Sequence, residues 1–80
     1  MNINIYGSTG IIGTNTLKII SKYFPKIKIN LLCANNNVSK LITQTFLYKP
    51  KYVFLNNSKK INNLKNKIYS KTKILNRNDL

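Results

Sequence analysis

The three glycines of this 80-residue chain lie together in one stretch, from Gly7 to Gly13. Glycine weakens the interior of helices and strands but permits sharp turns and close backbone approach, so the clustering indicates a specialised turn. An extended segment, from Asn2 to Tyr6, precedes the stretch, and helical spacing of apolar residues begins at Ile11. The sequence therefore predicts a strand, a glycine-rich turn and a helix in direct succession.

The glycine spacing, G-x-x-G-x-x-G, is a variant of the fingerprint of dinucleotide-binding folds. In such a turn Gly7 permits the bend, Gly10 lets the backbone approach phosphate oxygens, and Gly13 lets the helix pack closely. We expect Ser8 and Thr9 to place hydroxyl groups at the rim. Backbone N–H groups at the start of a helix favour a negatively charged diphosphate. Similar turns also serve helix packing without any ligand, so the spacing alone leaves that alternative open.

Extended and helical segments alternate along the rest of the chain. Strands are predicted at residues 27–34 and 52–55 and from residue 73. One helix should end at Pro25, and a second should run from an N-cap at Asn37 to an exit at Pro50. A third and very basic helix should follow the cluster Asn56-Asn57-Ser58. The residues predicted to face the core from the first helix are Ile12, Thr16, Ile19, Ile20, Tyr23 and Phe24, and those from the third are Ile61, Leu64 and Ile68.

This alternation implies right-handed crossovers and a parallel sheet with helices on both faces. We therefore expect an α/β chain, forming part of a Rossmann-like, doubly wound, three-layer fold with about four strands. A complete dinucleotide-binding domain usually has six strands. Residues 1–80 should thus be the N-terminal part of such a domain, with catalytic and C-terminal domains absent.

The formal charge is +13, from fourteen basic residues and one acid, Asp79. Such a charge could serve a small nucleic-acid-binding module, with tyrosines stacking between the lysines. However, thirteen lysines beside a single arginine fit the codon bias of an AT-rich genome better than phosphate recognition, for which arginine is favoured. A poorly folding remnant that binds nothing is a further alternative.

The chain has no histidine and only one cysteine, Cys33. This composition excludes a disulfide framework, a zinc site and a pair of acid/base carboxylates within the chain. No apolar run reaches the length of a membrane span, and the N-terminus lacks the pattern of a signal peptide. We expect a cytosolic protein or the mature part of an imported one.

The sequence N-I-Y-G-S-T-G-I-I-G-T-N-T-L, from Asn4 to Leu17, closely resembles the opening G-S-T-G-S-I-G motif and following T-L of the 1-deoxy-D-xylulose 5-phosphate reductoisomerase family. Residues 34–38, A-N-N-N-V, are similar to the family's A-G-K-N-V, and residues 48–53, Y-K-P-K-Y-V, to its F-x-P-x-x-V. Several other NAD(P)-dependent reductases share the glycine pattern, but these further matches cover nearly the whole chain in register.

The resemblance implies an NADPH site in which Thr9, Gly10, Ile11 and Ile12 hold the pyrophosphate, while Asn35, Asn36 and Asn37 lie beside the ribose and its 2'-phosphate. The absence of an acidic residue after the second strand independently favours the phosphorylated cofactor. The predicted cofactor-binding residues are Gly7, Ser8, Thr9, Gly10, Ile11, Ile12, Asn35, Asn36 and Asn37.

The resemblance also implies what the full-length enzyme does. Members of the family rearrange and reduce 1-deoxy-D-xylulose 5-phosphate to 2-C-methyl-D-erythritol 4-phosphate in non-mevalonate isoprenoid biosynthesis. They use NADPH and a divalent metal, Mg or Mn, usually as homodimers in the bacterial cytoplasm or in a plastid-type organelle. Their acidic metal ligands and substrate-phosphate residues lie beyond residue 80, so no catalytic or metal-binding residue is assigned in this chain.

Two departures from the family pattern bear on the cofactor. Ile11 replaces a serine, which removes a hydroxyl but keeps the backbone N–H. The pair Asn35-Asn36 replaces Gly-Lys, which removes a cation from the expected phosphate position. We expect both changes to weaken NADPH binding, the second more, unless Lys40, roughly one helical turn further on, supplies replacement charge.

Overall fold

A computed structural model describes residues 1–77 of the chain. Within these residues the elements follow in the order β1 (Asn2–Tyr6), α1 (Ile11–Tyr23), β2 (Lys28–Ala34), α2 (Val38–Tyr48), β3 (Tyr52–Leu55), a 3-10 helix (Ser58–Asn63) and β4 (Lys73–Ile74). All four strands are parallel and pair in the order β1-β2-β3-β4. The expected α/β fold with a parallel sheet of four strands is therefore confirmed.

The hydrophobic core lies on one face of this sheet. It is formed by Ile5, Leu32, Ala34, Val53 and Leu55 from the strands, Leu17 from α1, Leu41 from α2, and Leu64 just after the 3-10 helix. Each successive strand is added at the same edge of the growing sheet. Right-handed crossovers then place every connection between strands on one face of the sheet. The three expected layers are a sheet with helices on each of its two faces. Residues 1–77 accordingly contain two of them, the sheet and one helical layer, with no helix over the second face.

Helix α1 begins and ends where the sequence predicts. The face that it turns toward the sheet, however, is shifted by about one residue from the predicted face. Its buried positions are Gly13 and Leu17, whereas Ile12 and Ile19 are 82% and 51% exposed. The predicted inward face was therefore wrong at Ile12, Ile19, Tyr23 and Phe24, which are all exposed. The helix has two apolar stripes, and the one that contains Gly13, Leu17 and Ile20 meets the sheet.

Helix α2 has the predicted cap and exit. The Asn37 Oδ1 atom accepts a hydrogen bond of 3.1 Å from the backbone N–H of Lys40. At the other end Lys49 adopts a left-handed conformation with φ 49°, and the buried Pro50 follows it. Proline has no N–H to continue the helical ladder, so the chain leaves the helix here.

The third α-helix of the sequence analysis does not form, and that prediction was wrong. The segment is instead a short 3-10 helix followed by turns, and Asn66 has a φ of 65°. Asparagine is a poor helix former, and Lys59 and Lys60 put positive charge where the helix dipole is already positive. The inward spacing was nevertheless correct, because Leu64 is fully buried and Ile61 and Ile68 pack against the core.

None of the helices in residues 1–77 combines the length and hydrophobicity that crossing a membrane requires.

Candidate functional site at the glycine turn

The turn after β1 is closed by backbone hydrogen bonds. Gly7 has a φ of +70°, the left-handed region that glycine adopts without strain, as predicted. The Gly10 N–H donates to the Gly7 carbonyl at 3.1 Å, and the Ser8 N–H donates to the Cys33 carbonyl at 2.9 Å. The second bond fastens the turn to the carboxyl end of β2. These two amides are therefore engaged within the protein.

Ser8 lies under the turn. Its side chain is fully buried, so the expectation that its hydroxyl lies at the rim was wrong. The Ser8 carbonyl accepts two hydrogen bonds, one of 3.2 Å from the Thr14 hydroxyl and one of 2.7 Å from the Gln44 side-chain amide. Gln44 is 3% exposed and was missed by the sequence analysis. The only available signal was its position in α2 beside the inward-facing Leu41 and Thr45.

Gly13 sets the distance between α1 and the turn. A Cβ atom added to it would lie 2.8 Å from the Ser8 Cα atom and would also overlap the Gly7 carbonyl oxygen. The prediction that this glycine permits close helix packing is confirmed, and the surface that it contacts is the backbone of the turn. Gly10 differs, because an added Cβ would approach the Gly7 oxygen only to 3.4 Å.

The start of α1 leaves hydrogen-bond donors available. Within residues 1–77 the backbone N–H groups of Thr9, Ile11 and Ile12 have no hydrogen-bond acceptor, and Gly10 supplies no side chain to cap them. Beside them is a depression of about 630 Å³, which we call the turn cavity. It is lined by Asn4, Ile5, Tyr6, Gly7, Gly10, Ile11, Ile12, Gly13 and Thr16. This arrangement of free amides at a helix start suits an anion.

The three predicted asparagines follow β2 at the same edge of the sheet. Asn35, Asn36 and Asn37 are all exposed. Because β1 and β2 are adjacent and parallel, their carboxyl ends bring the glycine turn and these asparagines to one edge, where dinucleotides bind in open α/β sheets. All nine residues predicted for the cofactor thus lie along this edge, although their assignment as ligands stays a prediction.

A second depression, which we call the asparagine cavity, lies beyond them. It is lined by Asn36, Asn37, Val38, Ser39, Ile42, Lys60, Asn63 and Lys67. Lys40, which the sequence analysis considered as a source of replacement charge, is not among the lining residues. Lys60 and Lys67, from the segment after β3, are there instead, and sequence reasoning missed them because that segment was assigned to a regular helix.

Acid/base groups are sparse around the site. Asp79 lies outside the described residues, and residues 1–77 contain neither a histidine nor a side-chain carboxylate. Burial raises the pKa of the Cys33 thiol, which is only partly exposed at the end of β2. No group of three or more metal-ligating side chains occurs within the described part of the chain. The polar groups that the structure describes along this edge are instead backbone amides, side-chain amides and lysines.

Comparison with known proteins gives the family of this chain. The family model for 1-deoxy-D-xylulose 5-phosphate reductoisomerase matches residues 3–79. Proteins of that name from Wigglesworthia glossinidia brevipalpis and Pelagibacter ubique are 50% and 40% identical to the chain over 64 and 82 residues. These alignments cover 79% and 94% of this chain but 16% and 21% of the relatives. A rice relative described as chloroplastic is 41% identical over 63 residues, covering 79% of this chain and 13% of its own length.

Two solved structures have the same fold. The reductoisomerase from Zymomonas mobilis in complex with NADPH has a TM-score of 0.84 and 26% identity, covering 91% of this chain and 20% of that one. A reductoisomerase in complex with NADPH, fosmidomycin and magnesium has a TM-score of 0.83 and 27% identity, covering 94% and 19%. The match of the family model over nearly all residues, together with these relatives, shows that the chain belongs to the 1-deoxy-D-xylulose 5-phosphate reductoisomerase family.

Proposed function

We propose that residues 1–80 are the N-terminal, NADPH-binding segment of a 1-deoxy-D-xylulose 5-phosphate reductoisomerase. The observation that carries the proposal is the glycine turn, in which the Ile11 and Ile12 amides stay free at the start of α1. Both solved relatives were determined with NADPH, and they share the fold over at least nine-tenths of this chain. Two free backbone amides at the start of a helix, next to an N-cap glycine that has no side chain to occupy them, fit a diphosphate.

The residues have distinct roles in this proposal. The Ile11 and Ile12 amides bind the pyrophosphate, and Gly10 leaves room for its oxygens. Asn35, Asn36 and Asn37 lie beside the adenosine ribose, while Ser8 and Gly7 shape the turn from beneath. The bound cofactor supplies the hydride of the reduction. Proton transfer and metal binding belong to groups outside residues 1–77, which contain no carboxylate or histidine side chain.

The activity of the whole protein is part of the same proposal. It would rearrange 1-deoxy-D-xylulose 5-phosphate and reduce it to 2-C-methyl-D-erythritol 4-phosphate, with Mg or Mn as a second cofactor. Fosmidomycin and magnesium in one solved relative support this assignment. We further propose a homodimer that works in a bacterial cytoplasm or a plastid-type organelle, since the relatives include bacterial and chloroplastic proteins. Light scattering of the full-length protein measures the oligomeric state directly.

Thermal protection by cofactor tests the site. NADPH at millimolar concentration should raise the melting temperature of the full-length protein, NADH should do so less, and Gly10→Val should abolish both effects. Gly10 has φ −77° and ψ 177°, values that any residue adopts, so the variant should still fold. Asn15→Ala, an exposed change in the same helix, is the matched control and should retain protection.

Two results would overturn the proposed function. If NADPH gives no protection to the wild-type protein, the proposed function is wrong. If the protein instead binds single-stranded RNA or DNA, with an affinity that falls steeply with salt and survives Gly10→Val, the basic-module alternative replaces it.

A further inference from the structure

The asparagine cavity contains positive charge that has no partner. It has a volume of about 640 Å³ and opens at the carboxyl edge of the sheet, beside the loop that follows β2. The basic residues among those that line it are Lys60 and Lys67, both exposed. Because residues 1–77 have no side-chain carboxylate, neither lysine forms an ion pair within the described part of the chain. The cavity therefore presents two uncompensated cations.

Asn36 and Asn37, two of the three asparagines that line this cavity, use their side-chain oxygens in hydrogen bonds within the protein. Asn57 must use its Oδ1 atom to accept from the Lys59 backbone N–H at 3.1 Å, because an N–H can only donate. Its Nδ2 atom therefore donates to the Asn36 Oδ1 atom at 2.8 Å. In Asn37, Oδ1 accepts from the Lys40 backbone N–H. Both amide oxygens are thus occupied, and neither Nδ2 group has an acceptor among residues 1–77.

The geometry of the 3-10 helix explains why Lys60 reaches the cavity. Residues three apart lie on the same side of such a helix, so Lys60 and Asn63 face the same way, and Lys59 faces elsewhere. The fully buried Leu64 anchors the segment, and the Lys67 N–H donates to its carbonyl at 3.1 Å, which turns the chain back. The bonds of Asn57 to Asn36 and Lys59 join this segment to the loop after β2.

We infer that Lys60 and Lys67 bind the 2'-phosphate of NADPH, and so determine its preference over NADH in this chain. The inference rests on the proposed function. It adds the two groups that replace the lysine of the family pattern, where this chain has Asn36. Two ammonium groups and the Nδ2 donors of Asn36 and Asn37 form a set of hydrogen-bond donors that suits an anion. The cavity lies between the residues that follow β2 and those that follow β3, which is one to two strand spacings, or about 5–10 Å, from the glycine turn along the edge of the sheet.

Calorimetric titration of the full-length protein with NADPH and with NADH tests the inference. Wild-type protein should bind NADPH at least about tenfold more tightly, the effect of one charge-assisted hydrogen bond at about 1.4 kcal/mol per tenfold. The double variant Lys60→Ala/Lys67→Ala should reduce that ratio to about twofold or less, while NADH affinity changes by less than about twofold. The double variant Lys59→Ala/Lys65→Ala removes the same charge from the same segment outside the cavity and should keep the wild-type ratio.

The possible results separate this inference from the proposed function. If wild-type protein binds neither cofactor, both fail. If it binds both cofactors and the preference survives Lys60→Ala/Lys67→Ala, only the inference is overturned. Equal loss in the Lys59→Ala/Lys65→Ala control, or loss in Lys40→Ala alone, also overturns it, because charge outside the cavity would then be responsible. An unchanged NADH affinity shows that the variants still fold.

Discussion

Replacing Gly13 with alanine should destabilise the protein, although helix propensity alone predicts the opposite. The substitution favours the helical state by about 1 kcal/mol at most. The new Cβ atom, however, would lie 2.8 Å from the Ser8 Cα atom and overlap the Gly7 carbonyl oxygen. Both contacts are with backbone, which must move, and overpacking of this kind costs about 3 kcal/mol at the upper end of its range. The net loss is about 2 kcal/mol.

Thermal unfolding of the 80-residue chain, followed by circular dichroism, measures this loss. A domain of this size shifts its melting temperature by about 4–8 °C per kcal/mol, so we expect a fall of about 8–16 °C. Asn15→Ala is the control, because it adds helix propensity at an exposed position and should raise the melting temperature slightly. A melting temperature for Gly13→Ala equal to or above the wild-type value would refute the packing argument.

Three further changes test other contacts. Asn37→Ala removes the acceptor for the Lys40 N–H and should lower the free energy of unfolding in urea by about 1 kcal/mol, whereas Asn37→Asp should not lower it. Thr14→Val removes the hydroxyl that donates to the Ser8 carbonyl and should cost about 1 kcal/mol in the same assay; an unchanged value would contradict the role of this bond. Burial raises the pKa of Cys33 above its ordinary value of 9.0, so the folded state holds the proton more tightly. The free energy of unfolding should therefore fall as pH rises past that value, and Cys33→Ser should remove this part of the pH dependence.

The local features were predicted correctly because their causes lie within a few residues. The left-handed Gly7, the Asn37 cap and the exit at Pro50 each depend on the conformational preferences of one side chain and its neighbours. Strand β3 was also predicted at its observed residues, since a short apolar run between turn signals has few other structures available. The family motif named the candidate residues, and the parallel pairing of β1 and β2 brings them to the carboxyl edge of the sheet.

The errors concern choices that depend on distant parts of the chain. Ser8 was expected at the rim, yet the Cys33 carbonyl and the Gln44 side chain hold its backbone beneath the turn. The segment after β3 has the apolar spacing of a helix, and that spacing does not distinguish a 3-10 helix with turns from an α-helix. Lys60 and Lys67 were consequently not associated with the Asn36 loop.

By itself, the sequence determined the order of the four strands and the first two helices, the position of the glycine turn and the family, because these follow from local propensity and from a motif read in register. Only the tertiary structure decided which stripe of α1 faces the sheet, that all connections lie on one face, and which lysines line the cavity beside Asn36. These outcomes depend on contacts between residues far apart in the chain. The hydrogen bonds that join Ser8 to Cys33 and to Gln44 are contacts of this kind.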